Sequence, residues 1–274
     1  MKLLNLGCGN RYHKSWTNID FYSANESVLS HDLTQGIPFD NDTFDVVYHS
    51  HVLEHFSKTG AAAFLKECFR VLKPNGIIRI AVPDLESIAR IYLQQLESAY
   101  NREAGAEANY DWIVLEMYDQ TVRNRRGGDM ADYIFQGNLA NESFVYARHG
   151  LEAKNLRKEF LNAKDQNKHQ NTTDSLYNRV FNFGAYKRKL IKLLLGKEYI
   201  SYEIGKFRMS GEIHQWMYDR FSLSRLLLQT GFKNPVKMTA FSSSFPEWNT
   251  FELESKEGEI FKPDSLYMEA FKIN

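Results

Sequence analysis

The sequence has few cysteines, no excess of charge of either sign and no long apolar run. Its two cysteines, Cys8 and Cys68, suggest neither a disulfide framework nor a zinc site. The 34 lysines and arginines balance 34 aspartates and glutamates, so no overall field would draw the protein onto nucleic acid. No segment approaches the roughly 18 apolar residues of a membrane span, and the start lacks a signal peptide's apolar region. We therefore expect a cytoplasmic protein with no nucleic-acid partner and no integral membrane segment.

Short apolar runs alternate with helical patterns through the first hundred residues. This alternation predicts a parallel sheet covered by helices. A chain of 274 residues fits one such α/β core with a large insertion better than two equal domains. The predicted strands are residues 2–6, 17–21, 44–49, 77–82, 235–241 and 266–273, with a turn at 73–76 before the fourth.

Residues 100–197 lose this alternation and mix helical patches with aromatic and charged side chains. We predict a mostly helical insertion there, which would form a cap that binds an acceptor molecule. The core then comprises residues 1–99 and 198–274. Within the insertion, residues 162–175 are predicted to form an exposed polar loop. In the core, Ser222 is predicted to cap a helix that ends near residue 231.

The first predicted strand ends in a glycine turn, and Asp20 follows at the tip of the second strand. The glycines let a ligand approach the backbone, and an acid at this place can accept both hydroxyls of a ribose. Dinucleotide dehydrogenases and adenosylmethionine enzymes both fit that description. The dinucleotide fingerprint, however, requires a third glycine where this chain has Tyr12. Only ten residues separate Gly9 from Asp20, which barely accommodates the helix that holds phosphates. A ligand with a ribose and no phosphate is therefore favoured.

Three blocks follow one another in the first part of the chain: LNLGCGN, HDLTQGIPFDNDTFDVVYHSHVLEHF and CFRVLKPNGIIRIAVPDL. Together they closely resemble the type-11 branch of the class I S-adenosylmethionine-dependent methyltransferases, over residues 1–90. The likeness resumes in HQWMYDRFSLSRLLLQTGF and SLYMEAFK. These segments and DQTVRNRRGGDM are similar to a bacterial subgroup associated with surface-polysaccharide synthesis. The resemblance implies a Rossmann-like α/β fold with a C-terminal strand pair and S-adenosylmethionine as methyl donor.

The resemblance also implies which residues of the glycine turn bind the cofactor. Gly7, Cys8 and Gly9 would line its methionine part. The family usually has an acid two residues before the first glycine, where this chain has Asn5. An amide can still accept a hydrogen bond from the cofactor's ammonium, but it lacks the charge. We therefore expect binding to persist and to be somewhat weaker.

A second implied set of residues lies at the tip of the second strand and in the segment that follows it. By the resemblance, Asp20 would hold the ribose and Phe21 would flank the adenine. Asp32 and Leu33 would read the edge of the adenine ring.

At the tip of the next strand, the resemblance places Ser50 and His51 facing the sulfonium. The sulfonium is an activated methyl donor, so the enzyme mainly aligns the attack and removes the nucleophile's proton. Histidine suits that task because its pKa lies near neutrality. We predict His51, from its motif position, and His214, where the insertion rejoins the core, as catalytic residues. His49 and His55 are interpreted as structural.

The same motif has a second interpretation. His51, Glu54 and His55 have i, i+3, i+4 spacing, which would put them on one face of a helix where they could bind a divalent ion. Some methyltransferases with E-x-x-E-H at this place bind a metal. Here a histidine replaces the first acid, and the Glu-His pair also occurs in metal-free relatives. We assign no metal and keep this alternative open.

Two basic segments of the insertion could contact the acceptor. Arg123, Arg125 and Arg126 could meet a phosphate or carboxylate, although a solvated charged loop is an equal alternative. The segment KRKLIKLLLGK, residues 187–197, is basic and amphipathic and could touch a membrane, although such helices more often pack on their own core.

The sequence thus predicts a methyltransferase that acts on a hydroxyl of a sugar or related bacterial metabolite, as a small molecule or a glycan. One alternative is methylation of another small molecule at nitrogen or on a phosphate group. Another is a protein that binds adenosylmethionine without catalysis and serves as a partner or sensor. Neither the acceptor nor the oligomeric state is predicted.

Overall fold

The computed structural model describes residues 1–167 and 191–273. Its strands are β1 (Leu3–Leu6), β2 (Thr17–Asp20), β3 (Val28–Ser30), β4 (Phe44–Ser50), β5 (Leu72–Pro83), β6 (Lys233–Met238), β7 (Ser255–Lys256), β8 (Glu259–Ile260) and β9 (Ser265–Phe271). Seven of them form one sheet in the order β3-β2-β1-β4-β5-β9-β6, and β7 and β8 form a small hairpin. The strands from β3 to β5 are parallel, whereas β9 is antiparallel to both β5 and β6. The predicted Rossmann-like α/β fold with a C-terminal strand pair is confirmed.

The helices lie between the strands and in the predicted insertion. In the described residues they are α1 (Lys58–Val71), α2 (Leu85–Tyr100), α3 (Ala106–Val122), α4 (Gly128–Ile134), α5 (Glu142–Asn167), α6 (Tyr199–Arg208) and α7 (Arg220–Gln229). Helix α1 starts where the Ser57 side chain accepts a hydrogen bond from the Gly60 amide, and it buries Phe64, Leu65 and Cys68 at helical spacing. Within residues 1–167 and 191–273, the structure has no helix with the length and apolar composition needed to cross a membrane.

The cap of α7 differs from the prediction. Asp219, not Ser222, is the N-cap residue, and its carboxylate accepts from the Phe221 and Ser222 amides. Ser222 occupies the third helical position and accepts a hydrogen bond from the Asp219 amide through its hydroxyl. The two residues form a capping box. The sequence therefore indicated the correct helix start, but Ser222 is the third helical residue of this motif and Asp219 is the cap.

The core lies on both faces of the sheet. Leu4 and Leu6 of β1 pack with α1 and α7, whereas Leu3 points to the opposite face and packs with Trp16 and Trp248. Each fully buried leucine contributes roughly 1.5–3 kcal/mol through the hydrophobic effect. Burial on both faces explains why three of the four residues of β1 are leucines.

Strand β5 begins earlier than predicted. The predicted turn at residues 73–76 belongs to β5, which pairs with β4 from Leu72 onward. The pairing register shifts between Phe44 and Val46, and Asn75 has a φ of 64°. The Pro-Asn-Gly sequence therefore produces an irregularity within the strand instead of a separate turn.

A buried ion pair fixes the register of β9 against β5. Arg79 and Glu269 lie opposite each other with 2.8 Å between Nη1 and Oε1, and their side chains are 1% and 0% exposed. Arg79 also donates to the Thr239 and Ser242 carbonyls, and Glu269 accepts from the Ser243 hydroxyl. With these partners the two charges are compensated in the core. This register brings the start of β9 to the carboxyl end of the parallel strands.

The described part of the insertion is helical, as predicted. Helices α3, α4 and α5 pack around Trp112, which is fully buried. Helix α5 changes direction at Gly150, whose φ of 51° and ψ of −139° are not helical. The loop predicted at residues 162–175 is wrong for 162–167, which belong to α5, and residues 168–175 lie outside the described residues.

Only part of the predicted basic amphipathic segment can be described. Residues 187–190 lie outside the described residues, and residues 191–195 are helical. Leu193 and Leu194 are exposed. Contact of this segment with a membrane stays a prediction.

Candidate functional site

The glycine turn lies at the switch point of the sheet. The strand order runs in opposite directions from β1 and β4, and open α/β sheets bind ligands outside the carboxyl ends of such strands. Gly7 and Gly9 have φ values of 64° and 52°, in the left-handed region that favours glycine. A Cβ on Gly7 would overlap the side chain of Val52, just after β4. The turn after β1 therefore lies directly against the end of β4.

Asp20 ends β2 and is tied to the turn. Its Oδ2 accepts a hydrogen bond from the Gly9 amide at 2.6 Å, and the Cys8 amide donates to the Ile19 carbonyl at 3.0 Å. Burial and the nearby Asp20 raise the pKa of the Cys8 thiol to about 12, so the thiol stays uncharged. The structure thus orients the Asp20 carboxylate beside the turn, where a ribose would be held.

Asn5 is buried beneath the turn and supports it. Its Nδ2 donates to the Arg11 carbonyl at 3.1 Å and to Asn18 Oδ1 at 3.2 Å. The amide group therefore holds the segment that follows the glycines. A role toward the cofactor's ammonium, which would use the amide oxygen, stays a prediction.

The residues predicted to contact the adenine lie beyond Asp20 on the same rim of the sheet. Phe21 is 74% exposed. Asp32 caps a short 3₁₀ helix, where its Oδ1 accepts from the Thr34 hydroxyl and amide, and these bonds lower the pKa of Asp32. Leu33 packs against the core at its edge. The His31 amide donates to the Asp20 carbonyl, which keeps this segment next to the tip of β2.

The surface beside Gly9 fits a nucleoside better than a phosphate. Residues 10–16 form turns and bends without a helix, so no helix N-terminus is present to hold a phosphate. A depression there is lined by Gly9, Asn10, Tyr22, Ser23, Ala24 and Asn25. None of these lining side chains is cationic. S-adenosylmethionine, which carries a ribose and an adenine without phosphate, fits this rim. That Asp20 holds the ribose stays a prediction.

His51 lies just beyond the end of β4, whose last residue, Ser50, pairs with Ala81 of β5. Its φ of 54° turns the chain sharply, and its amide donates to the Ala81 carbonyl at 2.9 Å. The Nδ1 atom lies 3.1 Å from Oε1 of Glu54, and Nε2 lies 2.9 Å from the hydroxyl of Ser265 at the start of β9. The imidazole therefore reaches across the end of β5 toward β9.

His214 approaches the same carboxylate from another direction. Its amide donates to the Gln120 carbonyl of α3, and its Nε2 lies 3.9 Å from Oε1 of Glu54. Its ring packs edge-on against that of His55, with centroids 4.9 Å apart. The structure thus brings the two histidines predicted from sequence, His51 and His214, to one glutamate. Their catalytic roles stay predictions.

Burial controls the charge of these groups. It lowers the pKa of both His51 and His214 well below the ordinary histidine value, and nearby cationic side chains act in the same direction. It raises the pKa of the fully buried Glu54 to about 8. Both imidazoles are therefore neutral at neutral pH, the form in which a ring nitrogen can accept a proton.

His49 and His55 fit their structural interpretation. His49 is fully buried against Phe64, and burial lowers its pKa to about 3. Neither of its ring nitrogens has a hydrogen-bond partner within the described residues. His55 Nδ1 lies 3.1 Å from the Ile213 carbonyl oxygen, a distance at which it can donate, and burial lowers its pKa to about 4.

The structure changes the set of residues that could bind a divalent metal ion. Residues Leu53–His55 form a 3₁₀ turn and His51 precedes it with a positive φ, so the α-helical face assumed for His51, Glu54 and His55 does not exist. Instead, donor atoms of Glu54, His55 and His214 lie within 4.8 Å of one another. His214 could not be grouped with the motif from sequence because it lies some 160 residues later.

A second buried charged cluster attaches the insertion to the sheet. His149 of α5 lies 3.5 Å from Glu116 of α3 and 3.6 Å from Asp264, which precedes β9, while Arg148 pairs with Glu116. Burial lowers the pKa of His149, but Asp264 and Glu116 outweigh burial, so its pKa is raised. The nearby His149 and the hydrogen bonds from Arg148 overcome the burial of Glu116 and lower its pKa to about 2. Because Asp264 adjoins Ser265, the cluster also holds Ser265, which contacts His51, in place.

Cationic side chains surround the histidines. Arg11 and Lys262 both approach Glu152 of α5, at 3.9 and 3.3 Å, and both lower the pKa of His51. Arg123 donates to a backbone carbonyl through Nη2 and lowers the pKa of His214. Arg11 Nη1 and Arg123 Nε are buried without a hydrogen-bond partner in the described part of the chain.

Of the three arginines predicted to meet the acceptor, only Arg123 faces the histidines. Arg125 pairs with Asp129 and Asp132 at the surface. Arg126 is 91% exposed and lies 3.8 Å from Glu212. These two fit the alternative of a solvated charged loop.

Several residues of the site were not predicted from sequence. Arg11 follows the glycine turn, and Ser265 immediately precedes the last predicted strand, so their positions near strand ends were the available signal. His149 and Glu116 come from helices without a recognisable motif, and no local signal marks them. Glu54 was considered only as a metal ligand.

Comparison with known proteins gives one family match. Residues 4–80 match the family model described as "Methyltransferase domain". No curated protein matches the chain.

Solved structures with similar folds include several methyltransferases. One from Thermotoga maritima, described as a possible histamine N-methyltransferase, aligns with a TM-score of 0.39 at 12% identity, over 99% of this chain and 82% of that one. A SAM-dependent methyltransferase from Archaeoglobus fulgidus aligns with a TM-score of 0.37 at 13% identity, over 99% and 86%. A chain of the Haloferax volcanii complex between the Trm112 methyltransferase activator and a methyltransferase aligns with a TM-score of 0.39 at 9% identity, over 100% and 83%.

The family match covers the part of the sheet that carries the site. It begins within β1 and ends within β5, and so includes the glycine turn, Asp20 and His51. Residues 4–80 are therefore similar to a methyltransferase domain, and the methyl donor that this implies is S-adenosylmethionine.

Proposed function

We propose that the protein is an S-adenosylmethionine-dependent methyltransferase that O-methylates a hydroxyl of a sugar or related small metabolite in bacterial surface-polysaccharide biosynthesis. One observation carries the reaction type: a buried neutral imidazole, His51, beside the carboxylate of Glu54 at the switch point. A hydroxyl acceptor needs a base, and His51 has the position for it. The polysaccharide context is supported by the resemblance of the DQTVRNRRGGDM and C-terminal segments to that subgroup.

When bound, S-adenosylmethionine supplies an activated methyl group. The chain's contribution is to bind and orient. The Gly9 amide holds the Asp20 carboxylate in place for the ribose, and the positive φ of Gly7 and Gly9 leaves the backbone open to the ligand. These residues share the rim that ends at His51.

The acceptor would enter from the side of the insertion. The His51 side chain reaches away from β1 and toward Ser265, so the glycine turn and the base lie on different sides of the end of β4. Glu152 and His149 of α5 approach this region from the insertion. A pocket built from two parts of the chain would exclude water from the reacting groups.

A second candidate is methylation of an acceptor that carries a phosphate or carboxylate. The buried guanidinium atoms of Arg11 and Arg123 that lack partners among the described residues favour it, since buried donors are normally paired. A nucleotide sugar would satisfy both candidates. Methylation at nitrogen and non-catalytic binding of adenosylmethionine are alternatives without a specific observation in their favour.

The test is a turnover assay with methyl-labelled S-adenosylmethionine. The acceptors would be nucleotide sugars, lipid-linked glycans, neutral sugars and small phosphorylated metabolites, and the product linkage would be read by mass spectrometry. We expect label on a hydroxyl oxygen of a sugar. Label on nitrogen or on a phosphate oxygen would show that the acceptor belongs to a different chemical class from the one proposed. S-adenosylhomocysteine binding without turnover on any acceptor would favour the non-catalytic alternative.

A further inference from the structure

Glu54 is a buried carboxylate without a hydrogen bond. Its side chain is fully buried, and neither Oε1 nor Oε2 has a hydrogen-bond partner in the described residues. Leaving a buried polar group unpaired costs about 1–3 kcal/mol, and more when it is charged. An unpaired buried carboxylate is rare, and it indicates either a role in the reaction or a site that binds an ion.

The His51 ring lies beside this carboxylate. Nδ1 of His51 lies 3.1 Å from Oε1, close enough for a hydrogen bond but not aligned for one. On the other side of the ring, Nε2 and the Ser265 hydroxyl are within hydrogen-bond distance at 2.9 Å. Catalytic hydrogen bonds are often poorly aligned before the reactants bind. The order Ser265, His51, Glu54 is that of a hydroxyl, a base and an orienting carboxylate.

The sheet brings a distant residue to the segment that carries the other two. His51 and Glu54 lie three residues apart after β4, whereas Ser265 starts β9 opposite Pro83 of β5. The Asp264–His149 contact fixes the chain just before Ser265. The contact between His51 and Ser265, 214 residues apart, is therefore not explained by local sequence.

Other charged groups face the same place. Lys262 lowers the pKa of Glu54 and Asp264 raises it, while Arg11 and Lys262 oppose a positive charge on His51. His214 lies 3.9 Å from Oε1 and so also faces the carboxylate. Arg11 and Lys262 make protonation of His51 less favourable. A nearby carboxylate is therefore needed to stabilise the ring when it accepts a proton.

We propose that Ser265, His51 and Glu54 form a proton relay, in which Glu54 is a positioning residue that stabilises the imidazolium formed on His51. The proposal rests on the proposed function for the source of the proton. The acceptor hydroxyl gives its proton to Ser265 Oγ as the Ser265 proton passes to His51 Nε2. The acceptor oxygen keeps the electron pair of its O–H bond and would bond the methyl carbon with it. The bond from that carbon to the sulfonium sulfur would break at the same time, its electron pair staying on sulfur, so that S-adenosylhomocysteine leaves. While Nε2 accepts from Ser265, the neutral ring carries its proton on Nδ1, which faces Glu54. The ionised Glu54 carboxylate therefore holds this tautomer and offsets the positive charge that the ring gains when Nε2 is protonated.

The first test needs no acceptor. The ¹⁵N signals of the His51 ring would be followed through a pH titration of the full chain bound to S-adenosylhomocysteine. We expect a step in these signals where Glu54 ionises, and we expect Glu54→Gln to remove it. Ser265→Ala should keep the step and move the Nε2 signal, because Nε2 loses its hydrogen-bond donor. Unchanged His51 signals in Glu54→Gln would overturn the relay.

The second test uses an acceptor found by the labelling assay. Glu54→Gln and Ser265→Ala should each lower kcat on the order of a hundredfold while KM and S-adenosylhomocysteine affinity stay nearly unchanged. Ser265→Thr, which keeps the hydroxyl, should recover much of the loss. Matched controls are Glu254→Gln, another fully buried glutamate, and Ser255→Ala, another buried serine. Controls that lose as much kcat as the relay variants would show a structural effect and overturn the proposal.

The two tests separate the relay from the proposed function. If no acceptor is methylated, the proposed function fails, while the ring signals still report whether Glu54 and His51 interact. If turnover is lost on chelation and restored by Mg²⁺, and Mn²⁺ broadens the His55 and His214 signals, the carboxylate serves a metal and the relay is wrong.

Discussion

At the scale of single residues, burial rather than residue type sets the chemistry of the site. His49 and His51 are two positions apart, yet one faces the apolar helix α1 and the other meets Glu54 and Ser265. The motif predicted His51 because of its place at the strand tip. It could not predict Ser265 as a partner, since Ser265 lies 214 residues away in sequence.

Replacing the histidines should separate catalysis from cofactor binding. We expect His51→Ala to lower turnover on the order of a hundredfold or more through loss of the base, with S-adenosylhomocysteine affinity nearly unchanged. His214→Ala should also lower turnover, because His214 shares the carboxylate of Glu54. The measurements are steady-state kinetics and calorimetry, with His13→Ala as the control. Full activity in both variants would contradict the assignment.

The pH dependence of turnover should follow Glu54. Burial raises its pKa to about 8, so the carboxylate that stabilises a protonated His51 is mostly absent below that pH. We therefore expect kcat to rise as pH increases through about 8 and then level off. In Glu54→Gln the rise should disappear and kcat stay low throughout. A kcat of the wild-type protein that falls over this range would contradict the role of the ionised carboxylate.

At the scale of elements, strands of the core were easier to predict than the connections that build the site. The apolar runs of β1, β4 and β5 gave their positions because strands buried on both faces need continuous apolar sequence. The strand β3 was missed because it has three residues and only its first is buried. The 3₁₀ turn after β4 was also missed, since its i, i+3 spacing looks the same as that of an α-helix.

At Gly150 the insertion packs closely against the segment that precedes β9. Its φ of 51° and ψ of −139° are accessible to glycine, and a Cβ there would overlap the Ile260 carbonyl and the Pro263 ring. We expect Gly150→Ala to lower the free energy of unfolding by about 1–3 kcal/mol, measured by urea denaturation. Gly205→Ala is the control, because Gly205 is helical and a Cβ there meets nothing within 4 Å. It should be neutral or slightly stabilising. Equal stabilities of the two variants would contradict the close packing.

At the scale of the whole molecule, several buried histidines make stability depend on pH. Burial lowers the pKa of His49 to about 3 and of His55 to about 4. Below the unfolded value of about 6.5, the unfolded chain binds protons that the folded chain does not. The contribution of His49 and His55 to the free energy of unfolding therefore decreases as pH falls below about 6.5. It keeps decreasing until the pH reaches the folded pKa of each ring.

His49→Leu isolates one of these contributions. His49 alone should change the free energy of unfolding by up to about 1.4 kcal/mol per pH unit in this range. Urea denaturation of the wild type and of His49→Leu at a series of pH values would give the two slopes. We expect a shallower loss of stability with acidification in the variant. Equal slopes would mean that the buried ring is protonated in the folded state.

The whole account depends on the switch point being a site for a nucleoside without phosphate. Asp20, oriented by the Gly9 amide at 2.6 Å, is the residue on which that claim depends most. The most direct measurement is titration calorimetry with S-adenosylhomocysteine and NAD on the wild type and Asp20→Ala. The account predicts that the wild type binds S-adenosylhomocysteine, that Asp20→Ala abolishes or greatly weakens this binding, and that neither protein binds NAD. Tight binding of NAD, or unchanged S-adenosylhomocysteine affinity in Asp20→Ala, would contradict it.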